Sequence, residues 1–203
     1  MRDKELLFNL IMEEQSRDIS VDVISVLLPE LPPSLETVHE YWTQCRGNNF
    51  APSWKQFELL NLPAELIPSI QVADWVPEQQ RFIYRFYGGD YVEIYKKELT
   101  GKSPQDLPIP KLGELVHQQY LSILTDKEPC AIAYGINQNN TFDLINTCLR
   151  LPLSNDGHHV SAIVSVGLII KEIPFARDIV EKMLSGYIKF NPKFCAQRDK
   201  AIQ

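Results

Sequence analysis

The stretch FIYRFYGGDYVEIYKKELTGKS, residues 82–103, sets a glycine pair and an aspartate directly behind a run of aromatics. A carboxylate on a glycine loop suggests a site for a metal ion and a nucleotide. That chemistry needs several carboxylates converging on divalent cations. A helix start explains the same residues more simply. Asp90 and Glu93 have the spacing of a capping box, in which Asp90 accepts from the orphan amides of the first turn and Glu93 reaches back to the cap amide. Gly88 and Asp90 are therefore read as structural, and no catalytic or metal-ligating residue is assigned.

Arg85 carries a second chemical possibility. It stands mid-strand among Tyr84, Phe86 and Tyr87. Either it forms a salt bridge, with Asp74 across a hairpin, or its guanidinium recognises an anion in a pocket. Trp75, Tyr84, Tyr91, Tyr95, Tyr134 and Phe142 are of the type that lines a small-molecule cavity, and equally of the type that fills a core. His117 lies on a helix near the edge of its apolar face, the one candidate axial ligand for a haem. Cys45, Cys130, Cys148 and Cys195 are scattered, with no C-x-x-C pair. No nucleophile elbow or phosphate-binding glycine loop is visible.

These residues must be positioned by a chain of 203 residues, enough for one good core with accessory segments. The net charge of −6 and the lack of a basic stripe argue against nucleic acid. The longest nearly apolar run, residues 160–170, is about half of the ~20 residues a membrane-spanning helix needs, so no membrane partner is expected. The N-terminus mixes both charge signs and does not read as a secretory signal. A cytoplasmic protein with reduced thiols is the expectation.

Leu6, Leu7, Leu10 and Ile11 have helical spacing, so residues 3–15 predict a short amphipathic helix. ISVDVISVLLPELPP fits a strand or a second helix. Ser34 is expected to cap a helix with Leu35, Val38, Trp42 and Cys45 on one face and Gly47 at its end. Short helical turns are expected near residues 54–60 and 64–67. IQVADWV and RFIYRFY predict a hairpin. The helix from Asp90 is expected to carry Val92, Tyr95 and Leu99 on one face and to stop at Thr100-Gly101. Ser103-Pro104-Gln105-Asp106 repeats the capping logic. Residues 111–125 predict a longer helix facing inward through Leu112, Leu115, Val116, Tyr120 and Leu124. CAIAYGI, TFDLINTCLRLPL and HVSAIVSVGLII predict three strands joined by turn-rich segments. Pro174 opens a last helix with Phe175, Ile179, Met183, Tyr187 and Ile188 on one face, followed by a frayed tail.

Two strands, then short helices, then three strands make an α+β fold. That order, together with ELTGKSPQDLP, resembles the PAS fold, a sensory domain. A closer resemblance is to the bacterial PAS-like family often called PAS_5. It rests on Tyr41-Trp42 and Arg46, Ala51-Pro52, Asp74, Phe82 to Gly88, and Leu99-Thr100-Gly101, and it spans roughly residues 35–170. Trp42, Arg46, Asp74, Gly88, Asp90 and Gly101 are the structural positions so marked. The resemblance implies a five-stranded antiparallel sheet with short helices on one face, flanked by N- and C-terminal helices. Segments 1–33, 34–173 and 174–203 follow as N-terminal segment, PAS-like domain and C-terminal helix with tail.

Two further resemblances are weaker. The glycine loop looks like the start of the diguanylate cyclase signature, which implies a glutamate after Asp90 and an aspartate well upstream. This chain has Tyr91 and the acid-free RGNNFAPS there. TQCRGNNF is similar to the flavin-adduct cysteine motif of light-sensing PAS domains, but Cys45 lies on a helix ahead of the first strand pair. The expected function is a non-catalytic sensory or signalling protein that binds a small molecule, a partner protein or both. The alternatives are a ligand-free interaction adaptor, a haem sensor and a cyclase-like enzyme. The cofactor is unknown. The expected partners are an unidentified signalling protein and a second copy of the chain, with residues 3–15 and 174–190 as output elements.

Overall fold

The structure, a computed structural model, describes residues 19–138, 141–170 and 173–195, with side chains as far as residue 191 in the last stretch. The helix expected over residues 3–15 lies outside the described residues. Seven strands form one mixed sheet in the order β3-β2-β6-β5-β4-β1-β7. They are β1 (Ser20–Val26), β2 (Ile70–Val76), β3 (Arg81–Tyr87), β4 (Cys130–Gln138), β5 (Thr141–Leu153), β6 (Ala162–Ile169) and β7 (Lys189–Cys195). The main helices are α1 (Pro33–Arg46), α2 (Gly89–Tyr95), α3 (Pro110–Asp126) and α4 (Ile173–Leu184).

The PAS-like order expected from the sequence is present in β2 to β6, which pair antiparallel throughout. The expectation of five strands is corrected to seven. Beyond β4 the sheet continues through β1, antiparallel to β4, and β7, parallel to β1. The alternation in SVDVISV fits that edge, burying Val21 and Val23 and leaving Ile24 and Val26 less covered. An uncovered β4 would present a row of unpaired amides and carbonyls. Pro192 falls on the outermost strand, where a missing ladder donor is tolerated. Strands from all three expected segments thus share one sheet.

Both faces of the sheet are covered. Leu149, Leu151 and Leu153 of β5 point to one side, where they pack with Val72, Val164 and Val166 against Leu35, Val38 and Trp42 of α1. Trp42 is buried there, and its indole N–H donates to the Pro152 carbonyl at 2.9 Å. Arg46 stacks 5.5 Å from that ring and donates to the Asn49 carbonyl. Strand residues of opposite phase face α2, α3 and α4, and form a second apolar layer with Tyr84, Leu112, Tyr120 and Ile179.

Several helix boundaries differ from expectation. Ser34 does not cap α1, because Pro33 already occupies its first turn, the position where a missing N–H costs nothing. Asp90 is not the cap of α2. Gly88 holds the cap position, with its N–H donating to the Ile70 carbonyl, so Asp90 falls inside the first turn. There it accepts a hydrogen bond from the Ser69 hydroxyl. Gly88 is fixed by crowding: a Cβ would lie 2.1 Å from the Pro68 carbonyl oxygen and 2.6 Å from that of Ile70. Helix α2 stops at Tyr95, where Lys96 turns left-handed, four residues before Leu99. Gly101, at φ +77°, instead makes the turn that returns Leu99-Lys102 to Tyr84. Ser103 forms the expected capping box with Asp106 over a single short turn.

The C-terminal helix is corrected most. It ends at Leu184, before Tyr187 and Ile188, and the chain then enters β7 in place of a frayed tail. Nor does it flank the domain. Ala176, Ile179 and Val180 are buried against the same layer as α2 and α3.

Candidate functional site

Between the sheet and helices α2, α3 and α4 lies a cavity with about 90 Å³ in which the centre of a water-sized sphere fits. That is several times the roughly 10–15 Å³ one water requires by the same measure. Tyr84 of β3, Tyr91 and Tyr95 of α2, Leu112 and Val116 of α3, and Ile179 and Met183 of α4 form its walls. Asn146, Cys148 and Arg150, alternate residues of β5, reach it from the sheet.

Arg150 is the chemically distinctive residue. Its relative exposure is 2%. Nε donates to Gln119 Oε1 at 3.0 Å, Nη1 to Ser165 Oγ at 2.9 Å and Nη2 to Tyr134 Oη at 3.3 Å. The guanidinium also lies 5.0 Å from the Tyr120 ring centroid. All these partners are neutral, and among the described residues Arg150 has no carboxylate partner. Burial favours the neutral form, but Cys148, Tyr120, Tyr134 and Cys130, once ionised at high pH, more than offset it, so the guanidinium stays charged. Those thiols and phenols are themselves pushed up by burial, Cys130 to about 11, so near neutrality they supply no counter-charge. A buried cation without an opposite charge carries a desolvation cost of several kcal/mol.

Other polar atoms around the cavity are unsatisfied. Asn146 Oδ1 and Tyr84 Oη are buried without a hydrogen-bond partner. The Tyr84 hydroxyl lies close enough to Tyr120 and Arg150 to feel both, yet makes no hydrogen bond of ordinary geometry, and Tyr120 is engaged with Ser165. Tyr91 reaches across to β6, where a Cβ on Gly167 would lie 2.1 Å from its hydroxyl oxygen.

The cavity collects four of the eight residues expected to line it: Tyr84, Tyr91, Tyr95 and Tyr134. Trp75 packs on Phe82 with centroids 4.9 Å apart and lies outside the lining. Phe142 folds over Gly135 of β4, whose missing Cβ leaves room for the ring. His117 is buried edge-on to Phe82, 6.4 Å between centroids, and also lies outside the lining, so it does not present an axial nitrogen to the cavity. Arg85 emerges on the opposite face of β3. It binds Asp74 through Nε at 2.9 Å and Nη2 at 2.6 Å, and its guanidinium lies 4.6 Å from the Trp54 ring centroid. Cys45 packs in the layer under α1, on the other side of the sheet from the cavity.

Arg150 went unnoticed in the sequence, as did Asn146 and the cavity wall from α4. The signal for Arg150 was present in TCLRLPL. A charge flanked by leucines in a long apolar strand lies in phase with Cys148, hence on a buried face, and no acid stands opposite it on β4 or β6.

No family model and no curated protein matches the chain. Among solved structures, the PAS domain of Bordetella pertussis BvgS is similar at 12% identity over 74% of this chain and 98% of that one, with a TM-score of 0.37. A light-oxygen-voltage domain studied with a flavin analogue gives 11% identity over 58% and 87%, with a TM-score of 0.36. The light-state LOV domain of the blue-light photoreceptor Aureochrome1 gives 11% over 59% and 93%, with a TM-score of 0.37.

Proposed function

We propose that this chain is a non-catalytic, PAS-like sensory module that takes a small molecule into the cavity between its sheet and helices α2, α3 and α4. The observation that carries the reading is the composition of the cavity wall: α4 supplies Ala176, Ile179, Val180 and Met183 to it. An occupant therefore touches the helix that joins β6 to the outermost strand, β7. A ligand that binds one position of α4 better than another shifts the balance between them. A signalling protein or a second copy of the chain reads that shift. The PAS-like assignment is supported by the chain's own strand order, β3-β2-β6-β5-β4, with helices α2 and α3 between β3 and β4.

The residue that invited an enzymatic reading, Asp90, and the one that invited anion recognition, Arg85, are occupied elsewhere. Asp90 holds Ser69, and Arg85 holds Asp74. No helix among the described residues is long and apolar enough to cross a membrane. A cytoplasmic setting and a partner other than nucleic acid complete the proposal.

The test is to compare the native and denatured masses of the purified protein and to run melting scans against a metabolite library. A co-purified small molecule, or a hit that raises the melting temperature and slows hydrogen exchange in α4, agrees with the reading. Equal masses together with an unmoved transition across the library would replace it with a ligand-free interaction module.

A further inference from the structure

We infer that the occupant is a small carboxylate with an apolar body, its anionic head held by Arg150 and its body against α3 and α4. The inference rests on the small-molecule reading above and names the ligand class.

Charge decides the head group. Among the described residues Arg150 is the one charged side chain in the cavity lining, and no carboxylate neutralises it. A guanidinium has five N–H donors in a planar fork. Three are engaged, with Gln119, Ser165 and Tyr134, which leaves two uncommitted on Nη1 and Nη2. A carboxylate satisfies such donors and supplies the missing charge in one group. The Tyr84 hydroxyl, in the same lining and buried without a hydrogen-bond partner, adds a further donor. A doubly charged phosphate fits poorly, because a single guanidinium leaves its second charge buried and unmatched.

The rest of the cavity decides the body. Away from Arg150 the wall is apolar, with Leu112, Val116, Ile145, Ile179, Val180 and Met183 facing inward. A bare anion would leave that surface empty. A neutral apolar molecule would fill it and leave Arg150 without a counter-charge. An amphipathic monoanion meets both conditions.

The experiment is calorimetric titration of the full chain at neutral pH with hexanoate and octanoate. Hexanamide and octanamide serve as neutral counterparts, and inorganic phosphate as the bare anion. At least one carboxylate should bind with one site per chain, at least about tenfold more tightly than its amide, the difference a charge-assisted hydrogen bond commonly makes. Phosphate should not bind. Arg150→Met should erase the preference for acid over amide. Should that variant fail to fold, two others still decide the matter. Tyr84→Phe should weaken carboxylate binding a few fold while leaving the amide unchanged, by loss of one donor. Ile179→Phe, which narrows the cavity and keeps Arg150, should abolish carboxylate binding. Amides that bind as well as the acids would overturn the inference and leave the small-molecule reading standing. Silence from every probe would also overturn it. The reading itself would fall only if the purified protein were also ligand-free and insensitive to the library. Carboxylate binding that survives Ile179→Phe would place the site elsewhere and overturn the inference.

Discussion

Arg85 and Arg150 lie on opposite faces of the sheet, and the two are treated in opposite ways. Arg85, with a side-chain exposure of 40%, forms a two-pronged ion pair with Asp74 and lies against Trp54. Arg150, at 2%, is surrounded by hydroxyls, an amide and an aromatic ring, with no opposite charge among the described residues. The apolar layers beneath them differ in the same sense. Under α1 the apolar side chains pack on one another and the Trp42 N–H has its acceptor, though Arg46 Nε has none. Under α2, α3 and α4 a cavity remains, with orphaned polar atoms at Tyr84 and Asn146. The first face pairs Arg85 with a carboxylate, whereas the second keeps a cavity and an arginine with no opposite charge among the described residues. That asymmetry is what separates a structural arginine from a recognition arginine.

The largest way to stress the open face is alkaline pH. Tyr84, Tyr87, Tyr91, Tyr95, Tyr120 and Tyr134 all belong to that layer, and burial raises each above the ordinary phenol value. For a group whose folded value is raised, the stability contribution is fully present below the unfolded value, about 10 for tyrosine, and is lost as pH rises above it. Tyrosine ionisation, followed by ultraviolet absorbance, should therefore appear cooperatively with unfolding. Gradual ionisation of these six in a folded chain would mean that the layer is open to water.

Mutation of the closed face comes next. Trp42→Ala should cost about 3–5 kcal/mol in urea unfolding, through the cavity it creates and the orphaned Pro152 carbonyl. Adding volume should then separate the two faces. Ala162→Leu, in the layer under α1, should cost roughly 1–3 kcal/mol by overpacking. Ala176→Leu, on the cavity wall, should leave stability unchanged or raise it by up to about 1 kcal/mol. Equal costs for the two would erase the contrast. The smallest effect belongs to Arg85→Met, at most about 1 kcal/mol for a partly exposed pair, and it should leave ligand binding untouched.

Much of this arrangement was legible in the chain. The hairpin IQVADWV/RFIYRFY and the later three-strand meander follow from alternation and turn residues, because a half-buried strand repeats every second position. The direction of Tyr84 and Tyr134 follows from the same phase, and that of Tyr91 and Tyr95 from their four-residue spacing on α2. Other features depend on contacts distant in sequence. KFNPKFC, with a proline at its centre, does not read as a strand, and only the edge offered by β1 makes it one. The start of α2 shifts to Gly88 because the backbone of Pro68 and Ile70 presses against that residue. Arg85 drew attention through its aromatic neighbours, yet strand phase turns it away from them. Arg150, among leucines, owes its importance to an absent partner, which a single chain of letters does not display.

The central claim is tested most directly by nuclear magnetic resonance of the arginine side chains, with hexanoate or octanoate titrated into isotope-labelled protein. The account predicts that the Arg150 Nε–H resonance moves with saturation, at one equivalent per chain, while that of Arg85 stays still. Movement of Arg85 alone, or of neither, would contradict it.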